Sequence, residues 1–375
     1  MIKIAHILHS VGGVDVSLRL ITENINPEEF ENIIIHGVID TDVDFVDRNK
    51  KKLKSFKTPI YREINLIKDL KAIIQTYAIL KKERPDIIHA HSAKGGIIGR
   101  FLGLLLKINV FYTPQAFSFL SSESKLKRRV YILIERIFTN KYSYLLASSN
   151  SEKERGIQNK IFKKEKALLY NNSIVDINKI EELSIQKTWP DEYICTVGRP
   201  SYQKNIELMI DVLYEVNKVK NVHLVIMGVG FHSDKLEEVK AKIISYNLTD
   251  KVTLLDWTKR TDVFNIIKNS KIYISTARYE GLPYSIIESL ALSTPCIVTD
   301  SDGNRDLIID GYNGYVFKNQ NTIDFKDKII HLLNNELIHK QFSNNSRSEF
   351  LQKYNVENNI KNLEKIYIAY SKKSI

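Results

Sequence analysis

The sequence predicts an α/β protein with two doubly wound domains, each built on a parallel sheet. Three observations carry this prediction. The chain has 375 residues, which is more than one hydrophobic core usually serves. Short β-branched segments alternate with longer amphipathic segments from end to end, which is typical of consecutive βαβ units. A polar segment at about residues 171–192 has no strong strand pattern, and we interpret it as the connection between the domains.

Strand candidates follow one another through both halves of the chain. In the first half they are KIAHIL, NIIIHGV, DIIHAH, NVFYT, SYLLAS and ALLYN, and in the second half YICTVG, HLVIMG, VTLLD, IYIST and PCIVTD. Segments such as NIELMIDVLYEVNKV and DFKDKIIHLLNNEL lie between them and place apolar residues at helical spacing. We therefore expect an N-terminal domain over residues 1–172 and a C-terminal domain over residues 173–354.

The composition is that of a soluble globular protein, with 43% hydrophobic and 26% charged residues. The net charge of +11 calls for an anionic partner, such as nucleic acid, an anionic membrane or a phosphorylated ligand. The sequence has no zinc-finger spacing, no aromatic RNA-binding signature and no single basic arm. Nucleic acid is therefore not an expected partner.

The cysteines and the apolar segments indicate the cellular compartment in which the protein is expected. Cys195 and Cys296 lie in strand-like apolar runs without paired spacing, so we expect reduced core thiols, as in the cytosol. The N-terminal segment is too short and too polar for a signal peptide and resembles a first strand instead. No apolar run reaches the roughly 18 residues of a membrane-spanning helix. We expect a soluble cytoplasmic protein.

Glycine-rich loops follow two of the predicted strands. Ligands of open α/β sheets bind beyond the carboxyl ends of the strands, so these loops are candidate binding sites. Gly12 and Gly13 follow the first strand, where paired glycines let the backbone approach an anion at a helix N-terminus. Gly228 and Gly230 follow HLVIMG. Neither loop has the full GxGxxG pattern of dinucleotide sites, and a plain tight turn is the alternative for both.

A basic loop follows the strand candidate YICTVG. Gly198 and Arg199 begin this loop, and Lys204 ends it just before a predicted helix, with Asn205 as a candidate cap. An arginine fork and a lysine point charge at a helix start can grip a diphosphate. The alternative is a pair of solvated loop charges.

The segment YEGLPYSIIESL places Glu280 before a Gly-Leu-Pro corner and Glu288 inside the helix that follows. Pro283 suits the first helical turn, where its missing N–H costs nothing. The free backbone N–H groups at Leu282 to Ser285 would point at an anion. A sugar nucleotide fits this arrangement, with its diphosphate at the helix end, its ribose near one carboxylate and its hexose near the other.

In these motifs the sequence resembles the family 4 retaining glycosyltransferases of GT-B fold, also called glycosyl transferases group 1, over nearly the whole chain. The resemblance implies two Rossmann-like domains with a cleft between them, and a final helix at about residues 355–375 that crosses back onto the first domain. The motifs that carry it are Gly12-Gly13-Val14, His91-Ser92-Ala93-Lys94-Gly95-Gly96, Gly198-Arg199 with Lys204-Asn205, Gly228-Val229-Gly230, Glu280 with Glu288, and DSDGNRDLIIDGYNGYVF.

The resemblance also implies roles for these residues. Arg199 and Lys204 would stabilise the leaving diphosphate, Glu288 would hold the ribose, and Glu280 would contact the donor sugar. The Gly12-Gly13 loop would approach the diphosphate and the acceptor. The other positions expected to bind the donor are Gly198, Gly228, Gly230, Trp257, Arg260, Gly281, Leu282, Pro283, Tyr284 and Ser285, with Trp257 to Arg260 near the base.

The chain departs from the family pattern in two loops. Such enzymes often carry His-Gly after the strand that here reads VFYT, but this chain has Gln115-Ala116. His89 and His91, at the end of the strand candidate DIIHAH, are possible substitutes for this histidine, and a hydrogen-bonded structural role is the alternative for each. His91, Lys94 and Gln115 are the candidates for the acceptor side, without an assigned role. The second departure is Gly303-Asn-Arg-Asp306, where a glutamate usually ends the loop, which obscures the identity of the donor sugar.

Metal binding is not expected. Asp40-Thr41-Asp42 mimics the metal-binding DxD motif of another glycosyltransferase fold, but it lies in a polar stretch and favours a solvated loop. The cation pair and the helix end can supply the same electrostatic stabilisation. We therefore expect neither a metal nor another cofactor.

The segment SKLKRRVYILIERIF at about residues 124–138 predicts an amphipathic helix. An apolar set is expected to face the core: Leu126, Val130, Leu133 and Ile137. A second stripe is cationic with one apolar member: Lys125, Arg129, Arg136 and Ile132. Such a stripe suits an anionic membrane surface on the cytoplasmic leaflet, and a solvated basic face is the alternative.

These features lead to one functional hypothesis and two rivals. The hypothesis is a metal-independent retaining glycosyltransferase that moves a hexose or N-acetylhexosamine from a UDP-linked donor to a glycan, which is polyprenyl-linked in many resembling enzymes. The rivals are a sugar-nucleotide epimerase of the same fold and a non-catalytic binder of sugar nucleotides or polyanions. A product assay without acceptor separates the first rival, and a lack of turnover with any acceptor identifies the second.

Overall fold

The computed structural model of the chain describes residues 1–61, 63, 65–230, 233–318 and 321–371. It consists of two compact units. The first contains Met1–Val175 and Asn355–Ile375, and the second contains Asp176–Tyr354. Each unit is a parallel sheet with helical crossovers, as predicted. No helix within the described ranges is both long enough and apolar enough to span a bilayer.

The first unit has a seven-stranded sheet of order β3-β2-β1-β4-β5-β6-β7. The strands are β1 (Ile2–Ile7), β2 (Phe30–Gly37), β3 (Lys54–Thr58), β4 (Ile87–His91), β5 (Asn109–Thr113), β6 (Ser143–Ala147) and β7 (Ala167–Leu169). The helices are α1 (Gly13–Thr22), α2 (Leu66–Glu83), α3 (Ser92–Leu106), α4 (Lys125–Phe138) and α5 (Asn150–Gln158).

The second unit has a six-stranded sheet of order β10-β9-β8-β11-β12-β13. The strands are β8 (Tyr193–Val197), β9 (His223–Met227), β10 (Val252–Leu255), β11 (Ile272–Ser275), β12 (Cys296–Thr299) and β13 (Gly314–Phe317). The helices are α6 (Ile206–Asn217), α7 (Leu236–Ser245), α8 (Arg260–Asn269), α9 (Tyr284–Ala291), α10 (Asn304–Leu307), α11 (Thr322–Asn334) and α12 (Glu336–Glu349).

Every predicted strand segment forms a strand, and the described residues contain two that the sequence did not predict, β3 and β13. Both lie at sheet edges and pair with one neighbour only. In β3 the sequence KSFKT is mostly exposed and carries two lysines, and β13 has only four residues. A charged edge strand such as β3 protects its sheet from aggregation and lacks the buried apolar pattern of a central strand. Strand β13 is apolar but has only four residues, which makes its pattern short.

The last helix, α13 (Val356–Tyr370), packs on the first sheet, as the resemblance implied. Val356, Ile360, Leu363 and Tyr367 share a buried cluster with residues of β1, β5 and β6. Helices α2 and α3 contribute to a separate apolar cluster with the same sheet. The end of the predicted segment, residues 372–375, lies outside the described residues. The free thiols of Cys195 and Cys296 are buried, as expected.

The predicted orientation of α4 was wrong. The four residues expected to face the core, Leu126, Val130, Leu133 and Ile137, have exposed fractions between 46% and 72%. Ile132, expected on the outer stripe, packs with Tyr131 against the core beside β5 and β6. The residue of α4 that is buried most deeply is Glu135. The helix therefore presents its apolar stripe outward.

A buried ion pair explains this orientation. Arg100 of α3 is fully buried and its Nη2 lies 2.7 Å from Oε2 of Glu135. The same guanidinium donates to the backbone oxygens of Gly96 and Glu135 and lies 4.2 Å from the centroid of the Tyr112 ring. The Tyr112 hydroxyl donates to Oε1 of Glu135. Because an unpaired buried charge is far costlier than an exposed leucine, Glu135 must face inward.

We predict that Glu135→Leu destabilises the protein by about 3–5 kcal/mol, because it leaves Arg100 buried without a counter-charge. The double variant Arg100→Met with Glu135→Leu should lose clearly less, since both charges are removed together. Urea unfolding followed by circular dichroism measures both values. Glu154→Leu on the exposed side of α5 is the matched control. Equal losses in the single and double variants would show that the pair does not determine how α4 packs.

Candidate active site

The loops that follow β8 and β11 meet in the second unit through an ion pair. Strands β8 and β11 are adjacent and parallel, so their carboxyl ends lie side by side. Lys204 follows β8, and its Nζ lies 2.7 Å from Oε1 of Glu280, which follows β11. Gln203 Nε2 donates to the other carboxylate oxygen at 3.1 Å. The sequence predicted Lys204 and Glu280 as site residues but did not predict their pairing or the part of Gln203.

A second ion pair joins α8 to α9. Arg260 is the first residue of α8, and its Nη2 lies 2.6 Å from Oε1 of Glu288, inside α9. Glu288 is buried, whereas the Arg260 side chain is 47% exposed. Burial raises the pKa of the Glu288 carboxyl, and the guanidinium acts in the opposite direction. The pair thus holds a desolvated carboxylate at the edge of the sheet.

The corner between these two glutamates begins α9. Its first helical residue is Tyr284, and Pro283 is the N-cap residue, so the proline precedes the first turn rather than lying in it. Ser285 accepts a hydrogen bond from the Tyr273 hydroxyl at 2.8 Å. Gly281 is covered by the loop that begins α10, because a Cβ on Gly303 would lie 2.6 Å from the Gly281 carbonyl oxygen. The N-terminal end of α9, with its partial positive charge, therefore lies in a closely packed corner.

The remaining donor-binding candidates of the second unit lie on the loops after β8, β9 and β10. Gly230 packs under Trp257, because a Cβ on this glycine would lie 2.3 Å from the indole nitrogen. Trp257 itself is 76% exposed and can stack on a planar ligand. Gly198 donates its N–H to the end of β9, and Gly228 donates to the end of β10. Within the described residues, the neighbouring Arg199 has no carboxylate within ion-pair distance.

In the first unit, Gly12 and Gly13 form the start of α1. Gly12 is the N-cap residue with φ of 62°, a conformation that favours glycine. A Cβ added there would have no neighbour within 4 Å, so the backbone is open on this side. Beside this loop the structure corrects one expectation. Asp40 is not a solvated loop residue, since its side chain is fully buried against His9, whereas Asp42 is exposed.

His91 is part of a buried histidine cluster with His6 and His89. Asn32 Oδ1 accepts from His6 Nε2, so His6 Nδ1 accepts from His91 Nε2 at 3.0 Å. His89 lies between the hydroxyls of Thr113 and Tyr367. Burial lowers the pKa of His6 to about 4 and holds the pKa values of His89 and His91 well below the usual value of a histidine.

Within the described residues, these three histidines are the group whose ring nitrogens lie close enough together to hold a metal ion. A metal needs a lone pair from each ring, but His6 Nδ1 accepts from His91, and His89 Nδ1 accepts from Tyr367. Among the ring nitrogens of these three histidines, only Nδ1 of His91 lacks a partner within the described residues. The cluster therefore suits a neutral structural network better than a metal, and His91 is held inside the sheet.

Lys94 and Gln115 have different surroundings. Lys94 Nζ lies 2.7 Å from Oδ1 of Asp69 and donates to a backbone oxygen before α2, so its charge is engaged. Gln115 and Ala116 both have positive φ angles, of 53° and 77°. The Ala116 N–H donates to Glu152 at 2.7 Å, and the buried Nε2 of Gln115 has no partner within the described residues. Left-handed non-glycine residues with an unused donor are typical of functional loops.

Comparison with known proteins agrees with this architecture. Residues 179–349 match the family described as Glycosyl transferases group 1, and residues 40–172 match the Glycosyl transferase 4-like domain. A curated relative from Escherichia coli, UDP-Gal:alpha-D-GlcNAc-diphosphoundecaprenol alpha-1,3-galactosyltransferase, is 28% identical over 98% of this chain and 97% of its own length.

Solved structures show the same fold. Sucrose-phosphate synthase from Thermosynechococcus elongatus superposes with a TM-score of 0.83 at 16% identity, covering 98% of this chain and 99% of its own. Anabaena HepE, solved in complex with UDP and glucose, superposes with a TM-score of 0.77 at 16% identity, covering 98% and 100%. The solved structures show the GT-B fold, and the two family matches with the E. coli relative show that the chain is a glycosyltransferase of the family 4 group.

Proposed function

We propose that this enzyme transfers a hexose or N-acetylhexosamine from a UDP-linked donor to a glycan acceptor, with retention of configuration, in surface polysaccharide or glycolipid assembly. The observation that carries the proposal is the set of charges at the carboxyl edge of the second sheet: the Lys204–Glu280 pair, the Arg260–Glu288 pair and Arg199, which has no carboxylate partner in the described part of the chain. The E. coli relative is named for a UDP-sugar donor and a lipid-linked acceptor, which supports both choices for this chain.

Each group has a role in this proposal. Arg199 meets the diphosphate, because it is the cation of the set that has no carboxylate partner within the described residues. Lys204, held by Glu280, adds charge stabilisation as the diphosphate leaves. The Arg260 contact occupies Oε1 of Glu288, and Oε2 accepts from a ribose hydroxyl. Trp257 stacks on the base. The corner from Gly281 to Ser285 binds the sugar and the phosphates.

The pairing of the two carboxylates bears on the route by which a retaining transfer would proceed. A double-displacement route needs a free carboxylate as nucleophile next to the anomeric carbon. Glu280 and Glu288 are each engaged by a cation. Attack from the same face as the departing diphosphate, driven by positioning and leaving-group stabilisation, is the route that this arrangement supports. It needs no metal, since the cations and the start of α9 supply positive charge.

On the acceptor side, we propose contacts from Gln115 and from the Gly12–Gly13 loop. Gln115 stands where resembling enzymes often carry a histidine, and its unused Nε2 donor can bind an acceptor hydroxyl. Lys94 and His91 are held by protein partners, so any effect of theirs on the acceptor is indirect. The first unit is thus the acceptor domain and the second the donor domain of the proposal.

The first unit also binds the cytoplasmic face of an anionic membrane in this proposal, through the outward stripe of α4. Its apolar residues are Leu126, Val130, Leu133 and Ile137, and the exposed cations beside them are Lys125, Lys127, Arg128, Arg129 and Arg136. An amphipathic helix with an apolar stripe between basic residues is suited to lie in a bilayer interface. A lipid-linked acceptor would be presented at that surface.

The central test is a transfer assay with UDP-galactose, UDP-glucose or UDP-N-acetylglucosamine and GlcNAc-diphosphoundecaprenol, run in excess EDTA. We expect transfer by the wild-type protein, and a kcat about 10²-fold lower for Arg199→Ala because charge stabilisation in the transition state is lost. Lys240→Ala, on the exposed side of α7, is the control. Conversion of the donor without acceptor would identify an epimerase, and a strict requirement for Mn²⁺ or Mg²⁺ would contradict the metal-free site.

The two glutamates should separate in calorimetry with UDP. Glu288→Gln should weaken UDP binding by about 10-fold or more, because a charged hydrogen bond to the ribose is lost. Glu280→Gln should keep UDP affinity within about threefold yet lower turnover, because its partner is the sugar. Glu237→Gln on the exposed side of α7 is the control. Equal losses of UDP affinity in both site variants would refute this division of roles.

Membrane binding is measured by co-sedimentation with phosphatidylglycerol vesicles at low and high salt. Charge reversal at Lys125, Arg129 and Arg136 should weaken binding by about 10²-fold or more, since each basic residue contributes about 1 kcal/mol at an anionic surface. Leu133→Ser should weaken binding at both salt concentrations, because it removes an apolar side chain from the middle of the stripe and this contribution does not depend on salt.

A matched control reverses three exposed lysines of the second unit, Lys218, Lys240 and Lys340. This variant changes the net charge equally but leaves α4 intact, so it should bind vesicles like the wild type. If both triple variants lose binding to the same extent, the overall charge rather than α4 is responsible.

A further inference from the structure

A histidine–aspartate pair lies at the carboxyl edge of the first sheet. His9 follows β1, and Asp40 follows β2, which is adjacent and parallel to β1. His9 Nδ1 lies 2.5 Å from Oδ1 of Asp40. The Asp40 side chain is fully buried, whereas that of His9 is 17% exposed. The pair therefore places a partly accessible imidazole on a buried carboxylate.

The surroundings of Asp40 determine which nitrogen of His9 carries the proton. The backbone N–H groups of Ser10 and Gly37 donate to Oδ2 of Asp40, at 2.5 and 2.8 Å. Burial by itself would raise the pKa of this carboxyl, but the hydrogen bonds from His9, Ser10 and Gly37 lower it overall. An ionised carboxylate only accepts hydrogen bonds, so Nδ1 of His9 must donate to it. Nε2 of His9 then keeps its lone pair.

The position of His9 connects this lone pair to the reaction. His9 lies three residues before Gly12, at the open start of α1 that the proposed function assigns to the acceptor. Glycosyl transfer to a hydroxyl releases a proton, which needs a base. We propose that His9 Nε2 takes this proton and that Asp40 is a positioning residue that holds the imidazole in the required tautomer. This inference rests on the proposed function.

The step balances as follows. The acceptor oxygen forms a bond to the anomeric carbon, while the bond from that carbon to the diphosphate oxygen breaks and its electron pair leaves with UDP. The acceptor proton moves to His9 Nε2 and passes to water after product release. A hydrogen bond to the attacking oxygen does not choose the face of attack, so the step accommodates retention.

Other charged groups near the pair do not replace His9. His36 Nδ1 lies 3.9 Å from Asp40, but burial lowers its pKa, so it remains neutral. Asp15 of α1 accepts from Ser10 and is paired with Arg19, and Lys57 of β3 is paired with Asp42. His9 is therefore the group of this set that combines a buried carboxylate partner with a partly accessible ring.

The decisive variant is His9→Asn. Its amide nitrogen takes the place of Nδ1 and preserves the hydrogen bond to Asp40, but no atom replaces Nε2. We expect kcat with UDP-galactose and GlcNAc-diphosphoundecaprenol, or the donor that the wild type accepts, to fall by at least about 10²-fold. UDP affinity by calorimetry should stay within about twofold.

Asp40→Asn should lower kcat by at least about 10-fold, because an amide can hold the wrong tautomer of His9. Asp42→Asn in the same loop is the control and should behave like the wild type, since Asp42 is exposed. Should His9→Asn melt at a lower temperature, His9→Gln provides the second test, because it also lacks the basic nitrogen.

Two results would overturn the inference while leaving the proposed function intact: histidine variants that retain kcat within about threefold, or variants that lose UDP affinity as strongly as turnover. The second result would make His9 a donor-binding residue. A wild-type protein that transfers sugar to no acceptor would instead overturn the proposed function, and the role of His9 with it.

Discussion

Parallel strand pairing is the constraint on which the rest of this molecule depends. In each sheet every strand runs in the same direction, so every connection must cross over and every loop that leaves a carboxyl end emerges at one edge. Residues far apart in sequence meet there. Lys204 and Glu280 are 76 positions apart, and His9 and Asp40 are 31 positions apart. The backbone pairing of the strands therefore determines which side chains can meet at this edge.

The charges at these edges are arranged differently in the two units. In the second unit they are cation–carboxylate pairs beside the start of a helix, which is an environment that favours an anionic leaving group. In the first unit the polar groups are neutral histidines in the sheet and one imidazole held on a buried aspartate. A glycosyl transfer needs both kinds of environment, since negative charge accumulates on the donor while the acceptor loses a proton.

Buried charge also determines how the surface is built. The Arg100–Glu135 pair turns the polar position of α4 inward, and the leucines and isoleucine of that helix must then face outward. A helix with this composition would normally bury its apolar stripe. Rotating α4 to bury this stripe would leave Arg100 buried without its counter-charge. With the pair formed, the stripe stays exposed, and it is the surface to which we assign the proposed membrane contact.

The sequence by itself determined the alternation of strands and helices, the parallel sheets, the loops that carry Arg199, Lys204 and Glu280, and the helix that carries Glu288. These features depend on local periodicity, on glycine and proline positions and on the rule that ligands bind at carboxyl ends. It also identified Asn205 at the start of α6, although the structure shows no capping bond from that side chain.

Only the tertiary structure decided which polar groups pair. Asp40 looks like a solvated loop residue in sequence, yet backbone N–H groups and His9 surround it. The amphipathic pattern of α4 cannot show which face is inward, because Arg100 lies 35 positions before its partner Glu135. Short edge strands such as β13 acquire their conformation from the neighbour they pair with. Periodicity reports local preference, whereas the cost of burying a charge depends on a partner that only the folded chain brings near.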